Sequence, residues 1–400
     1  MNPSAKQNTF DPVFILDGLR TPIGHPFMGL RDFSAAQLAA VVLKKIVERS
    51  KMDRYGVEEV ILGNVVSAGT GQNPARQAAV LAGLSKKIPA LTINNVCGAG
   101  LQSVVLAARS ILAQDADLIL AGGTESATCS PYFVKREDAE NYDAPQRELN
   151  PVDCLVHDGL LCRITGRRMG ELVESLASRH GIGREEQDDY AFESHCKAVS
   201  AQRQDKFRRE ILPMKSLKKT IRKDEHPRRN LDRDWLVRLP PVFWTGGTVT
   251  AGNSSLPCDG AAAVLVASDR FVRKHKVKPL ARILGYASIA IEPRRGFESI
   301  IEAVGVCLKK CGLRSGDIDL FELSEAFAAP IIFAGNQLNI PSKKINIFGG
   351  DIALGHPLGA AGARILVTLI NALHDRRLKK GLACISYGGG GAVAMIVEAG

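Results

Sequence analysis

One order of parts occurs twice in this chain, and few folds accommodate that repetition. Residues 91–103 read LTINNVCGAGLQS: a β-prone run, a cysteine among glycines, then an apolar helix to Leu112. A strand from Ala116 to Ala121 follows and closes on Gly122-Gly123-Thr124-Glu125. Residues 345–370 read INIFGGDIALGHPLGAAGARILVTLI, with His356 where the first copy has Cys97. The strand Leu382–Tyr387 then closes on Gly388–Gly391. A duplicated architecture with pseudo-two-fold symmetry follows, bringing the two glycine-rich platforms together.

Strands expected at Val13–Leu19, Glu59–Leu62, Asp319–Leu323 and Lys344–Ile347 alternate with helices expected at Ala35–Glu48, Pro74–Leu84 and Ser299–Lys309. That alternation makes the fold class α/β and predicts a largely parallel sheet covered on both faces. Between the halves lies a charged, loop-rich stretch, residues 130–248, with helices expected at Gly170–His180 and Arg184–Ala201. An excursion of such length is more often a ligand platform than a linker. The domain reading is therefore residues 1–129 with 249–278, an insertion at 130–248, and a second half at 279–400.

Cys97 stands at a helix N-terminus, where unpaired backbone N–H groups and the macrodipole favour thiolate over thiol. The bland alternative is an inert buried thiol, and the neighbouring Gly98, Gly100, Asn94 and Asn95 argue against it. Of eight histidines, only His356 is bracketed by Gly355, Pro357 and Gly359, where backbone can approach a ligand closely. The two sites thus offer a nucleophile and a base.

Bulk properties narrow the class. Hydrophobic content of 45% with 24% charged residues is that of a globular chain, and no apolar run has the length of a membrane span. Residues 1–12, MNPSAKQNTFDP, carry no signal-peptide core, so the expected compartment is the cytoplasm. Nine cysteines scattered without CxxC pairs fit neither a disulfide scaffold nor a zinc site, and no metal is expected. Cys307 and Cys311 share a helix face and read as core. The net charge of +10 is concentrated between Arg203 and Arg238, with 13 Lys/Arg against 6 Asp/Glu. Without interleaved aromatics or a nucleic-acid motif, this segment suits a small phosphorylated ligand better than a polynucleotide.

The ordered stretches RTPIG (20–24), GNVVSAGTGQNPARQAA (63–79), NNVCGAGLQSV (94–104), GGTES (122–126), REEQDDYAFESHCKA (184–198), DEHPR (224–228), GTVTAGNSS (247–255), DGAAAVL (259–265), SEAFA (324–328) and GGDIALGHPLGAAGAR (349–364) resemble the thiolases over nearly the whole chain. The resemblance implies a duplicated five-layered α-β-α-β-α thiolase fold with an inserted loop domain, a homo-oligomer (dimer or dimer of dimers), and no permanently bound cofactor. Coenzyme A and its acyl thioesters are the implied substrates. By the same resemblance Cys97 takes the acyl group, His356 accepts the thiol proton, and coenzyme A is held at Leu160, Met169, Arg228, Phe243, Ala251, Ser255, Ala326 and Phe327. Arg228 is expected near the adenosine phosphates, and the small or apolar positions suit a pantetheine tunnel.

Five positions depart from the match. Ser386 stands where the family carries a second catalytic cysteine that moves the α-carbon proton, and a hydroxyl is a far weaker acid than a thiol. Cys384 shares its strand face, about 7 Å further back, too distant for direct replacement. Ser324 stands in place of the usual asparagine, where its hydroxyl is expected to hold a water near the thioester oxygen. Leu256 and Asp351 occupy positions normally small, and Arg168 replaces a common histidine. Oxyanion stabilisation is expected from backbone N–H groups at Cys97 and the Gly388–Gly391 turn, and from His356 with the Ser324 water. The leading reading is an acyl-CoA C-acyltransferase forming or cleaving 3-oxoacyl-CoA such as acetoacetyl-CoA. Two alternatives stay open: a decarboxylative or C-acylating synthase needing no α-proton base, and a catalytically silent coenzyme A-binding homologue.

Overall fold

The computed structural model describes residues 11–50, 56–137, 150–216 and 219–400; residues 1–10, part of the stretch read for a leader, lie outside them. The first half supplies β1 (Val13–Arg20), α1 (Ala35–Ser50), β2 (Glu59–Gly63), α2 (Pro74–Leu81), β3 (Ala90–Ile93), α3 (Ala99–Leu112) and β4 (Leu118–Glu125). After the insertion, with α4 (Met169–His180), α5 (Arg184–Arg203) and the short α6 (Arg233–Val237), come β5 (Gly260–Ser268) and α7 (Asp269–His275). The second half contributes β6 (Ala281–Ala290), α8 (Ser299–Cys311), β7 (Leu320–Leu323), α9 (Ala328–Gln337), α10 (Asp351–Leu354), α11 (Leu358–Arg376), β8 (Lys380–Tyr387) and β9 (Gly391–Ala399).

The strands lie in the order β3-β2-β4-β5-β1-β6-β9-β8-β7. Read outward from the short β1/β6 pairing, Val13–Ile15 against Ala281–Ile283, the two halves present matching orders. β6 answers β1, β9 answers β5, β8 answers β4 and β7 answers β2. The counterpart of β3 is the run expected as a strand at Lys344–Ile347. It is reduced to a 3-10 turn at Ser342–Lys344 and a single parallel bridge, Phe321 to Ile345.

α3 and α11 pack against each other between the two half-sheets. Their apolar residues, Leu101, Val104, Ile365, Leu366 and Leu369 among them, share one core with inward-facing Ile119, Val264, Ile385, Val393 and Met395. α1 and α2 cover the outer face of the first half-sheet, burying Leu38, Val42, Leu43 and Ile46. α8 covers the second, burying Ile300, Val304 and Cys307. Five layers result, as the resemblance implied.

Two sequence expectations fail for identifiable reasons. The sheet is mixed, not largely parallel: only β2/β3, β2/β4 and β7/β8 run parallel, and the other five pairings are antiparallel. β8 and β9 are joined by a tight turn, which only antiparallel neighbours permit, and β5 returns from the insertion in the opposite sense. The Gly122-Gly123 pair is not a turn but lies inside β4. A Cβ on Gly122 would sit 2.1 Å from Ala262 O, and one on Gly123 1.9 Å from Gly359 O. These glycines admit a neighbouring strand and the start of α11 at close range. Only the second diglycine, Gly389 and Gly390 with φ of 89° and 93°, makes a turn.

Candidate active site

The Cys97 platform is an elbow. Asn94 Oδ1 accepts from Val96 N at 2.9 Å while Asn94 Nδ2 donates to Val65 O at 3.1 Å, fastening the loop that leaves β3. Val96 has φ of 47°, a left-handed conformation that a β-branched residue adopts only when its surroundings impose it. Gly98 N then donates to Asn95 O and Ala99 N to Val96 O, and α3 begins. Cys97 is left half-buried, packed against the Val65, Val66, Cys154 and Leu358 cluster.

The His356 platform is sealed. His356 is 4% exposed, its N–H donates to Leu256 O at 2.9 Å and its carbonyl accepts from Cys258 N at 3.2 Å. The backbone turn is made by Gly355 at φ 98°, where a Cβ would come within 2.5 Å of Cys258 Sγ. Glu125, at the end of β4, locks the following helix to the first half by accepting from Gly359 N (2.9 Å), Val65 N (3.1 Å) and Asn64 Nδ2 (2.9 Å). Burial pushes this carboxyl up to about 7 against those hydrogen bonds.

The two reactive side chains meet. Burial works against protonation of His356, but the facing Cys97 sulfur and then the Asp351 carboxylate outweigh it, and the imidazole is pushed up to about 10. Asp351 Oδ2 lies 3.5 Å from His356 Nδ1. Both ring nitrogens are buried, and neither makes a well-directed hydrogen bond. The facing charges lead in raising this ring, with hydrogen bonding to the same two groups behind them.

Ser324, following β7, donates its hydroxyl to Asp351 Oδ2 (2.6 Å). Ser386, the last residue but one of β8, is buried at 6% exposure in the row of Cys384. Cys384 itself belongs to the outer core under α8, where burial pushes its thiol up. Gly98 abuts Tyr387, the residue after Ser386: a Cβ on Gly98 would sit 2.6 Å from the ring. The Cys97 elbow and the Gly388–Gly390 turn are thereby neighbours.

The eight positions expected to hold coenzyme A separate into groups. Met169, Phe243, Ala326 and Phe327 pack against one cluster beneath α4, with the Phe243 and Phe327 rings 6.3 Å apart. Leu160 packs with Cys97 in the smaller cluster beside it. Ser255 N donates to Ala326 O at 2.9 Å, and Ala251 is exposed on the same segment. Arg228 is exposed apart from them, with its guanidinium 4.4 Å from the centroid of Trp235 and its N–H on His195 Nδ1. A cavity of about 420 Å³ opens beside the elbow, lined by Val96, Met169, Cys162 and Gly388 among others. Among the described residues no cluster could hold a metal ion, and no helix is long and apolar enough to cross a membrane.

Sequence reasoning noted Asp351 only as a bulky substitute and missed Arg364 altogether. The available signal was the arginine itself: one guanidinium inside the apolar run of α11 requires buried acids nearby. It finds Asp351 Oδ1 at 2.6 Å and Glu322 Oε1 at 2.9 Å.

Comparison with known proteins agrees with this geometry. Residues 13–270 match the thiolase N-terminal domain and residues 277–399 the thiolase C-terminal domain. The acetyl-CoA acetyltransferase of Escherichia coli is 42% identical over 388 residues, covering 96% of this chain and 98% of its own length. That of Chromobacterium violaceum is 43% identical over 391 residues, covering 96% and 99%. Among solved structures, the Bacillus anthracis acetyl-CoA acetyltransferase superimposes with a TM-score of 0.93 at 34% identity, covering 98% of this chain and 100% of its own. An Ascaris suum thiolase in complex with coenzyme A gives 0.92 at 36% identity, covering 97% and 100%. Matched from end to end in sequence and in fold, this chain belongs to the thiolase family.

Proposed function

We propose that this chain is an acyl-CoA C-acyltransferase that forms or cleaves 3-oxoacyl-CoA, acetoacetyl-CoA included, through an acyl thioester on Cys97. The observation that carries the reading is the meeting of Cys97 and His356, a half-open sulfur against a sealed imidazole that is cationic at neutral pH. Thiolate attack on an acyl-CoA carbonyl breaks the bond to the coenzyme A sulfur, which takes the proton from His356. The acyl group stays on Cys97, and a difficult transfer is divided into two easier ones. The backbone N–H of Cys97 and those of the neighbouring Gly388–Gly390 turn are read as the donors for the oxyanion.

Residues 130–248 are read as the coenzyme A-binding insertion, with Met169, Leu160, Phe243, Ala326, Phe327, Ala251 and Ser255 along the pantetheine and Arg228 with Trp235 toward the adenosine phosphates. Self-association is read from β3, the edge strand of the first half, which carries exposed Leu91 beside exposed Val80 and Leu81 of α2. Nine unpaired cysteines suit the reducing cytoplasm.

Incubation with acetyl-CoA should add one acetyl group to the peptide containing Cys97, seen by mass spectrometry. Acetoacetyl-CoA should be cleaved when coenzyme A is supplied, and Ser386→Cys should raise that rate by about tenfold or more, because it restores a base for the α-carbon proton. No adduct on Cys97 would overturn the reading. An adduct without thiolysis would redirect it to a carbon acceptor that needs no deprotonation.

A further inference from the structure

Three groups in the interior lie next to the reactive pair: the Asp351 carboxylate, the Ser324 hydroxyl and the Arg364 guanidinium. Asp351 is fully buried at the start of α10, five residues before His356. Its Oδ1 accepts from Arg364 Nη2 at 2.6 Å, and its Oδ2 accepts from Ser324 Oγ at 2.6 Å. The same Oδ2 is the atom that lies 3.5 Å from His356 Nδ1. The carboxylate is thus clamped from two sides and turned toward the ring by its clamp.

We propose that Asp351 is a positioning residue for the acyl-transfer reaction: held by Ser324 and Arg364, it faces His356 Nδ1 and orients the imidazole so that its other ring nitrogen serves Cys97. The proposal rests on acyl transfer through Cys97.

Charges around the ring support the assignment. From the elbow before α3 comes the Cys97 sulfur, and from α10 comes Asp351. Behind Asp351 stand Arg364 of α11, Glu322 of β7 and Glu325 just beyond it. Burial disfavours the charged form of Asp351, but Arg364, His356 and the Ser324 hydrogen bond hold it well below the usual carboxylate range, so it is anionic throughout the working range. Glu322, by contrast, is pushed up to about 8 by burial against the pull of Arg364. Asp351 is therefore the permanent anion of the group. Glu325 is occupied elsewhere, accepting from Tyr190, Ser194 and Asn346.

The consequence differs between the two half-reactions. In the free enzyme His356 faces the Cys97 sulfur and the Asp351 carboxylate. Once Cys97 is acylated its charge is gone, and Asp351 alone sustains the basicity of the ring. The incoming coenzyme A thiol then gives its proton to Nε2, its sulfur attacks the acyl carbon, and the bond to Cys97 breaks. Cys97 leaves as thiolate opposite an imidazolium, and the starting pair is restored with every proton accounted for. Without Asp351 the acylated enzyme would hold a weaker base at the moment it needs one.

Single-turnover acetylation of Cys97 by acetyl-CoA, followed by mass spectrometry across pH, tests this. Acylation needs the imidazolium to protonate the leaving sulfur, so the wild-type rate should fall only as pH approaches about 10. Asp351→Asn should bring that alkaline limb down by about one pH unit or more and slow deacylation by coenzyme A about tenfold or more at neutral pH. Asp351→Glu should recover part of both. Ser324→Ala, which keeps the carboxylate and the ion pair and is the safer variant for folding, should move the limb in the same direction by a smaller amount. Limbs that coincide with wild type in both Asp351→Asn and Ser324→Ala would overturn the proposal, and if Asp351→Asn does not fold, an unmoved limb in Ser324→Ala does so alone. Absence of acetylation in the wild type would instead strike the reading of Cys97 itself.

Discussion

The two platforms are built from the same parts and solve opposite problems. Each places a reactive side chain at the start of one of the paired central helices, yet one is open and strained while the other is sealed and charged. The Cys97 elbow carries its left-handed turn on a valine and lines a cavity. The His356 platform carries its left-handed turn on a glycine, lies under the 256–258 segment, and has an Asp351–Arg364–Glu322 ion cluster beneath it. A nucleophile must be reached by substrate, whereas a base whose protonation is set by neighbouring charges benefits from exclusion of water. Duplication thus supplied two equal sites, and side-chain chemistry made them unequal.

Removing the ion cluster should break the comparison most severely. Arg364→Met leaves Asp351 and Glu322 buried without their shared cation, at a cost of about 3–5 kcal/mol. Ser103→Ala in the equivalent helix of the first half removes hydroxyl bonds to Gly100 O and Gly122 O (2.8 and 2.7 Å), at about 1 kcal/mol. Denaturant titration of the two variants should differ accordingly. The depressed Asp351 carboxyl also fixes a sign: its contribution is present above the ordinary carboxylate range and is lost as pH falls through and below it, so the gap between Arg364→Met and wild type should narrow in acid. A gap independent of pH would mean that packing, not charge, fastens this platform.

Gly355→Ala comes next. At φ 98°, with its new Cβ 2.5 Å from Cys258 Sγ, an alanine must displace the segment that accepts the His356 N–H. The backbone term alone is about 1–3 kcal/mol. Acyl transfer should fall more than stability does, because the displaced group is the base. Retention of full acetylation at reduced melting temperature would show that the seal over His356 is structural only.

How much of this was legible in the sequence follows the same division. The helices and the juxtaposition of Cys97 with His356 were readable, since an apolar period and a glycine-bracketed polar residue are local signals. Strand sense was not, because β5, β6 and β9 owe their antiparallel pairing to where the insertion and the hairpin return the chain. Nor was the difference between the diglycines: Gly122 admits the neighbouring strand and Gly123 a helix more than two hundred residues away, whereas Gly389-Gly390 serves its own turn. The bond from Ser324 to Asp351 was not legible for a related reason, since its partner lies on another element.

The smallest expected effect belongs to the elbow, and it is small because two terms oppose. Val96→Gly releases a left-handed β-branched residue, worth about 1–2 kcal/mol, and loses about the same through unfolded-chain freedom and the contacts of a half-buried side chain. Net stability should stay within about 1 kcal/mol of wild type. Acetylation of Cys97 should nevertheless slow several-fold, because the valine restricts the elbow to the one geometry that presents the sulfur to substrate. A large drop in melting temperature would mean that Val96 acts through packing against Val65 and Leu358, and the strain at φ 47° would then have no bearing on the nucleophile.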